Sequence, residues 1–401
     1  VEIDTMSLEA QNSASSHASS DDANKYDPFA HFGLDTLLSG AARLRPDTMA
    51  LTDRDESLTY AAFASRATAL GHLLTEHGLK RGERIILIGG ASGALVVALI
   101  AAIRAGLEPA LAPIDLPAKD LGAYANAINA TALIGTTCYG DFCPDELYFT
   151  AAAIATRVRF VATLGPGELD GAVDLSSEAI KRHSSSAFYT GIERGRLSTA
   201  ASARIFTLRR GEDIAPVMHR QSTLIAAGFD FVARAKVGRD TAVLSTFPPV
   251  RFASLVAGPI ATLLSGAALY LDGPFDSDAF LKTCGRAGRA HLVVPALFGP
   301  EFAASGITKN LASLTLLSQI SSGEPPVLPP ALNAACPLID LYTAGETAAI
   351  AEERRHGFAQ PPAHESHYIG FENSKILAVK ALSPSSGASI FSGAAVTDSA
   401  A

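Results

Sequence analysis

Hydrophobic and polar positions along the chain change period many times, and each change predicts an element. Leu34, Leu37, Leu38 and Leu44 fall on or near one helical face, so Gly33 to Arg45 reads as an amphipathic helix stopped by Pro46 and Asp47. Met49 to Asp53 and Ser57 to Tyr60 flank an Asp53-Arg54-Asp55 turn and predict a β-hairpin. Tyr60 to Glu76 reads as a helix closed by His77-Gly78. Ile85 to Ile88 is a short apolar run, a buried strand. Ala94 to Ala105 is apolar all round, a buried helix. A strand at Glu108 to Ala112, a helix at Asp120 to Ala130, a strand at Ala132 to Thr136, a helix at Glu146 to Arg157 and a strand at Arg159 to Leu164 follow.

Residues 165–202 are rich in Gly and Ser and lack a period, which predicts a loop and a subdomain boundary. The alternation then resumes. Strands are expected at Ala242 to Ser245, Ala267 to Leu271, His291 to Val294, Leu314 to Ser318 and Pro337 to Tyr342. Helices are expected at Phe252 to Leu264, Ser277 to Gly285 and Pro329 to Cys336, with short strands at His367 to Gly370 and Lys375 to Val379. Apolar strands alternating with helices predict an α/β fold of layered subdomains, with mainly parallel sheets flanked by helices. Residues 1–28 and 382–401 are small and polar and are expected as a disordered tail and a flexible tail, leaving 29–381 as the folded domain.

Composition narrows the class. The chain has 401 residues, 48% hydrophobic and 18% charged, with a net charge of −8, as a globular protein does. No basic stripe with interleaved aromatics points to nucleic acid. The 19 uncharged residues between Arg84 and Arg104 match a membrane span in length. Gly89, Gly90, Ser92 and Gly93 divide them into strand and helix, so no span is expected. The amino terminus shows no signal-peptide pattern. Cys138, Cys143, Cys284 and Cys336 form no Cys-x-x-Cys pair, which argues against zinc and fits a reducing cytoplasm.

The chemistry concentrates around I-F-T-L-R-R-G-E-D-I-A-P-V-M, Ile205 to Met218. A strand ending at Phe206, an exposed loop from Thr207 to Pro216 and a helix from Gln221 to Ala235 would frame a phosphate with backbone N–H groups. Such a loop normally needs several glycines; this one has Gly211 alone, beside Arg209 and Arg210.

Several stretches together resemble the amino-terminal domain of the adenylate-forming (AMP-binding) superfamily, which includes acyl- and aryl-CoA synthetases, luciferases and peptide-synthetase adenylation domains. They are L-T-Y-A-A-F from Leu58, G-L-K-R-G-E-R-I from Gly78, A-G-L-E-P from Ala105, V-V-P-A-L-F from Val293, S-S-G-E from Ser321 and L-Y-T-A-G-E-T from Leu341. The resemblance covers about Leu34 to Val379. It implies an acyl-CoA synthetase-like fold and a cleft for ATP or AMP, Mg²⁺ and an organic acid. Its nucleotide residues would be Thr207, Arg209, Arg210, Gly211, Gly323, Glu324, Tyr342 and Gly345. Glu346 would be both the catalytic residue and the Mg²⁺ ligand.

The departures are equally specific. The family's phosphate loop reads roughly T-S-G-T-T-G-x-P-K-G; here Thr207 alone fits, Glu212 stands at a glycine and Ala215 at the lysine. In Y-G-x-T-E, Tyr342 and Glu346 remain and Gly345 replaces the Thr. Val250-Arg251 stands where an aromatic-His pair is usual. No T-G-D follows Glu346, and the 55 residues beyond it are too few for the family's carboxy-terminal domain.

The reading is therefore a degenerate, pseudoenzyme-like member. It would bind an organic acid, acyl group, nucleotide or protein partner without efficient adenylation. The alternative is an active acid:thiol ligase that recruits Arg209, Arg210 and Glu346, with the missing domain supplied in trans. Against the phosphate clamp stands a solvated turn pairing the arginines with Glu212 and Asp213. Against the metal ligand stands a relic carboxylate. Tyr342 either lines the pocket or packs, and His219 either replaces a lost cation or begins a surface helix. His364-Glu365-Ser366-His367 lacks the spacing of a metal pair.

Overall fold

The computed structural model describes residues 29–144, 146–165, 167, 169–184, 202–210, 214–320, 328–367, 375–381 and 389–397. The first half runs α1 (Leu34–Leu44), β1 (Met49–Thr52), β2 (Ser57–Thr59), α2 (Tyr60–Glu76), β3 (Arg84–Gly89), α3 (Gly93–Arg104), β4 (Glu108–Pro113), α4 (Ala118–Ala127), β5 (Ala132–Thr136), α5 (Leu147–Ile154), β6 (Phe160–Leu164), β7 (Val173–Asp174), α6 (Ser177–Ser184), β8 (Ile205–Arg209) and β9 (Ala215–His219). The second half runs α7 (Gln221–Ala235), β10 (Ala242–Ser245), α8 (Phe252–Leu255), a π-turn (Val256–Ile260), α9 (Ala261–Ser265), β11 (Ala268–Leu271), α10 (Ser277–Ala287), β12 (Ala290–Pro295), α11 (Gly299–Ala304), β13 (Ser313–Gln319), β14 (Leu338–Ala344), β15 (Ala348–Glu353), β16 (Glu365–His367), β17 (Lys375–Ala381) and β18 (Ser389–Ser392).

These strands form two large, mainly parallel sheets and one small antiparallel one. The seven-stranded sheet has the order β7-β6-β5-β3-β4-β8-β9 and the eight-stranded sheet β15-β14-β13-β12-β10-β11-β1-β2. Among the described residues of the two large sheets, only the edge strands β9, β15 and β2 pair antiparallel.

The alternation of side chains along each strand sorts the core into layers. Ile85 and Leu87 of β3 join Val243 of β10 and Leu269 of β11 in one central cluster, where α1, α2, α3, α7, α8 and α9 also bury their apolar faces. Ile86, Ile88 and Leu133 point the other way, against Leu121 and Tyr124 of α4 and Tyr148 of α5. Leu244, Leu292 and Leu316 face outward against Phe280 of α10. The result is helices, sheet, helices, sheet, helices.

Helix α3 shows why the uncharged stretch after Arg84 needs no bilayer. Leu95 to Ile103 are all buried between the sheets, and no helix among the described residues is long and apolar enough to cross a membrane. Ser92 caps it through its hydroxyl, and Asp53 in the β1–β2 turn accepts from the Gly93 N–H at 2.6 Å. Helix α2 crosses α3 closely: a Cβ on Gly71 would lie 3.0 Å from the Ala101 carbonyl oxygen.

Several expectations are corrected. Thr207 to Arg209 are not loop but the second half of β8, which pairs with β9 in a hairpin, Thr207 opposite Val217. Pro329 to Cys336 is no helix; adjacent prolines supply no N–H, and Arg354 holds the Pro330 carbonyl instead. The stretch read as a loop carries β7 and α6, with residues 185–201 outside the described residues. The helix from Phe252 passes through a π-turn at Pro259, which cannot donate to the helical ladder. Residues 389–397, expected within a flexible tail, carry β18 paired with β17 and then Thr397, which is buried.

Candidate functional site

The residues marked by the motifs meet at the ends of β8 and β14 and the start of α8. Strand β14 is buried along its whole length and turns back into β15 through Gly345, whose φ of +56° is one that a side-chain-bearing residue adopts only under strain. The turn delivers Glu346, 3% exposed, into the protein. Its Oε2 accepts from the Phe252 N–H at 2.7 Å, so the carboxylate caps the amino end of α8. Its Oε1 lies 3.4 Å from a guanidinium nitrogen of Arg251, and the nearby Thr207 hydroxyl helps to stabilise its charge.

Thr207 lies near Glu346 but is fully buried in a strand. Its Oγ1 lies 2.7 Å from His219 Nε2, and His219 Nδ1 lies 2.7 Å from Thr397 Oγ1. Burial pushes the His219 pKa down to about 3, so the imidazole is neutral, with one ring nitrogen donating and the other accepting. His219 is therefore neither a replacement cation nor a surface residue. Burial also raises the Glu346 carboxyl, opposed by the Phe252 N–H, Arg251 and Thr207.

The other motif residues divide. Arg209 is exposed at the end of β8. Arg210 makes a bidentate pair with Asp115, at 3.1 and 3.3 Å. Tyr342 is buried in β14 and donates to the Gln360 carbonyl at 2.8 Å, a packing role. Gly211, Gly323 and Glu324 lie outside the described residues. The residue whose role the motifs did not supply is Arg251; its signal was a cation at a position where the family has histidine.

The resemblance implies Mg²⁺, which takes open oxygen ligands at near-octahedral geometry. Both Glu346 oxygens are engaged by donors, one of them cationic, and the side chain is buried. Among the described residues no group of three or more His, Cys, Asp or Glu side chains is placed to hold a metal ion. Among the described residues, those around Glu346 do not fit a magnesium site.

Comparison with known proteins places the fold and the first half of the chain. Residues 38–178 match the family model described as AMP-binding enzyme. The chain is 25% identical over 295 residues to the 2-hydroxy-7-methoxy-5-methyl-1-naphthoate–CoA ligase of Streptomyces carzinostaticus, covering 69% of this chain and 51% of that one. It is 35% identical over 106 residues to a salicyl-AMP ligase/salicyl-S-ArCP synthetase of Mycobacterium tuberculosis, covering 25% and 19%.

Among solved structures, the anthranilate CoA ligase AuaEII in complex with anthranoyl-AMP superposes with a TM-score of 0.68 at 13% identity, over 90% of this chain and 68% of that one. A putative long-chain-fatty-acid CoA ligase from Rhodopseudomonas palustris superposes with a TM-score of 0.69 at 14% identity, over 92% and 90%. The chain is similar to AMP-binding enzymes over residues 38–178 and has the fold of the amino-terminal domain of acyl-CoA ligases. It spans about half the length of the naphthoate ligase it resembles.

Proposed function

We propose that this chain is a degenerate adenylate-forming protein, which binds a small organic acid or its acyl derivative, or a protein partner, without efficient adenylation. The observation that carries the reading is the state of Glu346: buried, capping α8 and paired with Arg251. Adenylation places a carboxylate on the α-phosphorus of ATP and expels pyrophosphate, and depends on cations and donors aimed at the phosphates. Here the best-placed carboxylate already has its cation within the chain. The lysine position of the phosphate loop is Ala215, and Arg210 is held by Asp115. The relatives' names contain aromatic acids, naphthoate, salicyl and anthranoyl, which makes an aryl carboxylic acid the first ligand class to try.

The test is carboxylate-dependent ATP–pyrophosphate exchange with Mg²⁺ across a panel of aryl and aliphatic acids. Exchange is expected at background, because removing one preorganised donor costs on the order of 10²–10³ in rate and several are replaced. Exchange at ordinary enzymatic rates in the wild-type chain, lost in Glu346→Gln, would overturn the reading in favour of an active acid:thiol ligase.

A further inference from the structure

The loop between β5 and α5 ties the two large sheets together through one side chain. Cys138 and Cys143 are joined by a disulfide across five positions, and both are exposed. Inside the ring they close, Tyr139 and Phe142 form an antiparallel bridge: the Tyr139 N–H donates to the Phe142 carbonyl at 2.8 Å and the Phe142 N–H to the Tyr139 carbonyl at 3.3 Å. This bridge turns the Tyr139 ring inward. Its hydroxyl accepts from the Ala91 N–H at 3.3 Å, in the turn that follows β3 of the seven-stranded sheet.

The same ring reaches the turn that follows β11 of the eight-stranded sheet. A Cβ on Gly90 would lie 2.2 Å from the Tyr139 Cε2, and a Cβ on Gly273 would lie 1.9 Å from its hydroxyl oxygen. Two glycines, one from each sheet, are thus the condition for the ring to sit where it does. Gly140, at a φ of +63°, brings the loop against Pro274, where a Cβ would lie 2.7 Å from the proline Cγ. The loop touches the edge of the eight-stranded sheet on which the carboxy ends of the parallel strands, β14 before Glu346 included, lie.

We propose that the Cys138–Cys143 pair is a reversible redox clasp, which in its disulfide form holds Tyr139 between Gly90 and Gly273 and fastens the two sheets at the carboxy ends of β3 and β11. Opening it is thiol–disulfide exchange with a dithiol reductant. One reductant thiolate attacks Sγ of Cys138 or Cys143, the S–S bond breaks, and the second reductant thiol displaces the mixed disulfide. The reductant ends as a disulfide, and Cys138 and Cys143 together take up two electrons and two protons. Both cysteines are exposed, so the attack needs no unfolding. The remaining cysteines do not compete, since Cys336 is buried and burial raises the Cys284 thiol to about 11.

The test uses the intact chain. Thiol titration under denaturing, non-reducing conditions should count two thiols before treatment with a dithiol and four after it. Hydrogen exchange should then rise on reduction in peptides covering 88–93 and 271–275, on the order of tenfold from the loop entropy released, and fall again on reoxidation. Tyr139→Ala should raise exchange in the same two segments while the disulfide stays formed, which separates the clasp from the ring that holds it. Four reactive thiols before any reductant would overturn the proposal. So would two thiols with exchange at 88–93 and 271–275 unchanged by reduction.

Discussion

Replacing His364 should remove a large, pH-dependent part of the stability. Its imidazole lies between two buried carboxylates, with Nε2 3.1 Å from Asp230 of α7 and Nδ1 2.7 Å from Glu352 of β15. Burial alone lowers a histidine pKa, but the hydrogen bonds and charges of Asp230 and Glu352 outweigh it and push His364 from 6.5 up to about 9. A pKa raised on folding means that the native state holds the proton more tightly. The contribution is therefore complete below 6.5 and disappears as pH rises through 9. The shift corresponds to about 3 kcal/mol at one unit per 1.36 kcal/mol.

His364→Gln should accordingly cost about 2–3 kcal/mol at pH 6, with Asp230 and Glu352 left facing each other without a cation. Near pH 10 it should cost little, because the wild-type histidine is then neutral too. Urea unfolding of both proteins from pH 6 to 10 measures the difference directly. The reasoning is refuted if the gap between wild type and variant stays constant over that range, or if the His364 ring titrates near 6.5 by NMR.

Arg354→Met should destabilise by about 3–5 kcal/mol: it leaves Asp340, fully buried and held bidentately at 2.8 and 2.9 Å, without its cation, and thermal or urea melts should show the loss. Gly345→Thr, which restores the family's residue, should cost about 1–3 kcal/mol; open space surrounds the new Cβ, so the cost is that of holding a β-branched residue at a φ of +56°, and an unchanged melting curve would contradict it.

Much of the fold is legible because it is written locally. The run Ile85 to Ile88, the apolar helix behind it and the β1–β2 hairpin each follow from the period of side chains over a few positions, and burial enforces that period on both faces of every parallel strand. Pro329 to Cys336 shows the limit of local reading: its composition tolerates a helix, and the carbonyl of Pro330 is claimed by an arginine 24 positions away.

The same limit decided the site. Arg251 and Glu346 are 95 positions apart, His364 and Asp230 134, and His219 and Thr397 178. No period or spacing relates such pairs. His219 and Glu346 are each polar residues that sequence alone places on a surface or on a ligand. Chain packing instead brings His219 into the interior as a neutral imidazole between Thr207 and Thr397, and gives Glu346 a helix end and a guanidinium. The sequence by itself determined the layers and the family motifs. Tertiary structure determined which charges face one another, because pairing energy depends on distance in space and burial, neither of which separation along the chain encodes.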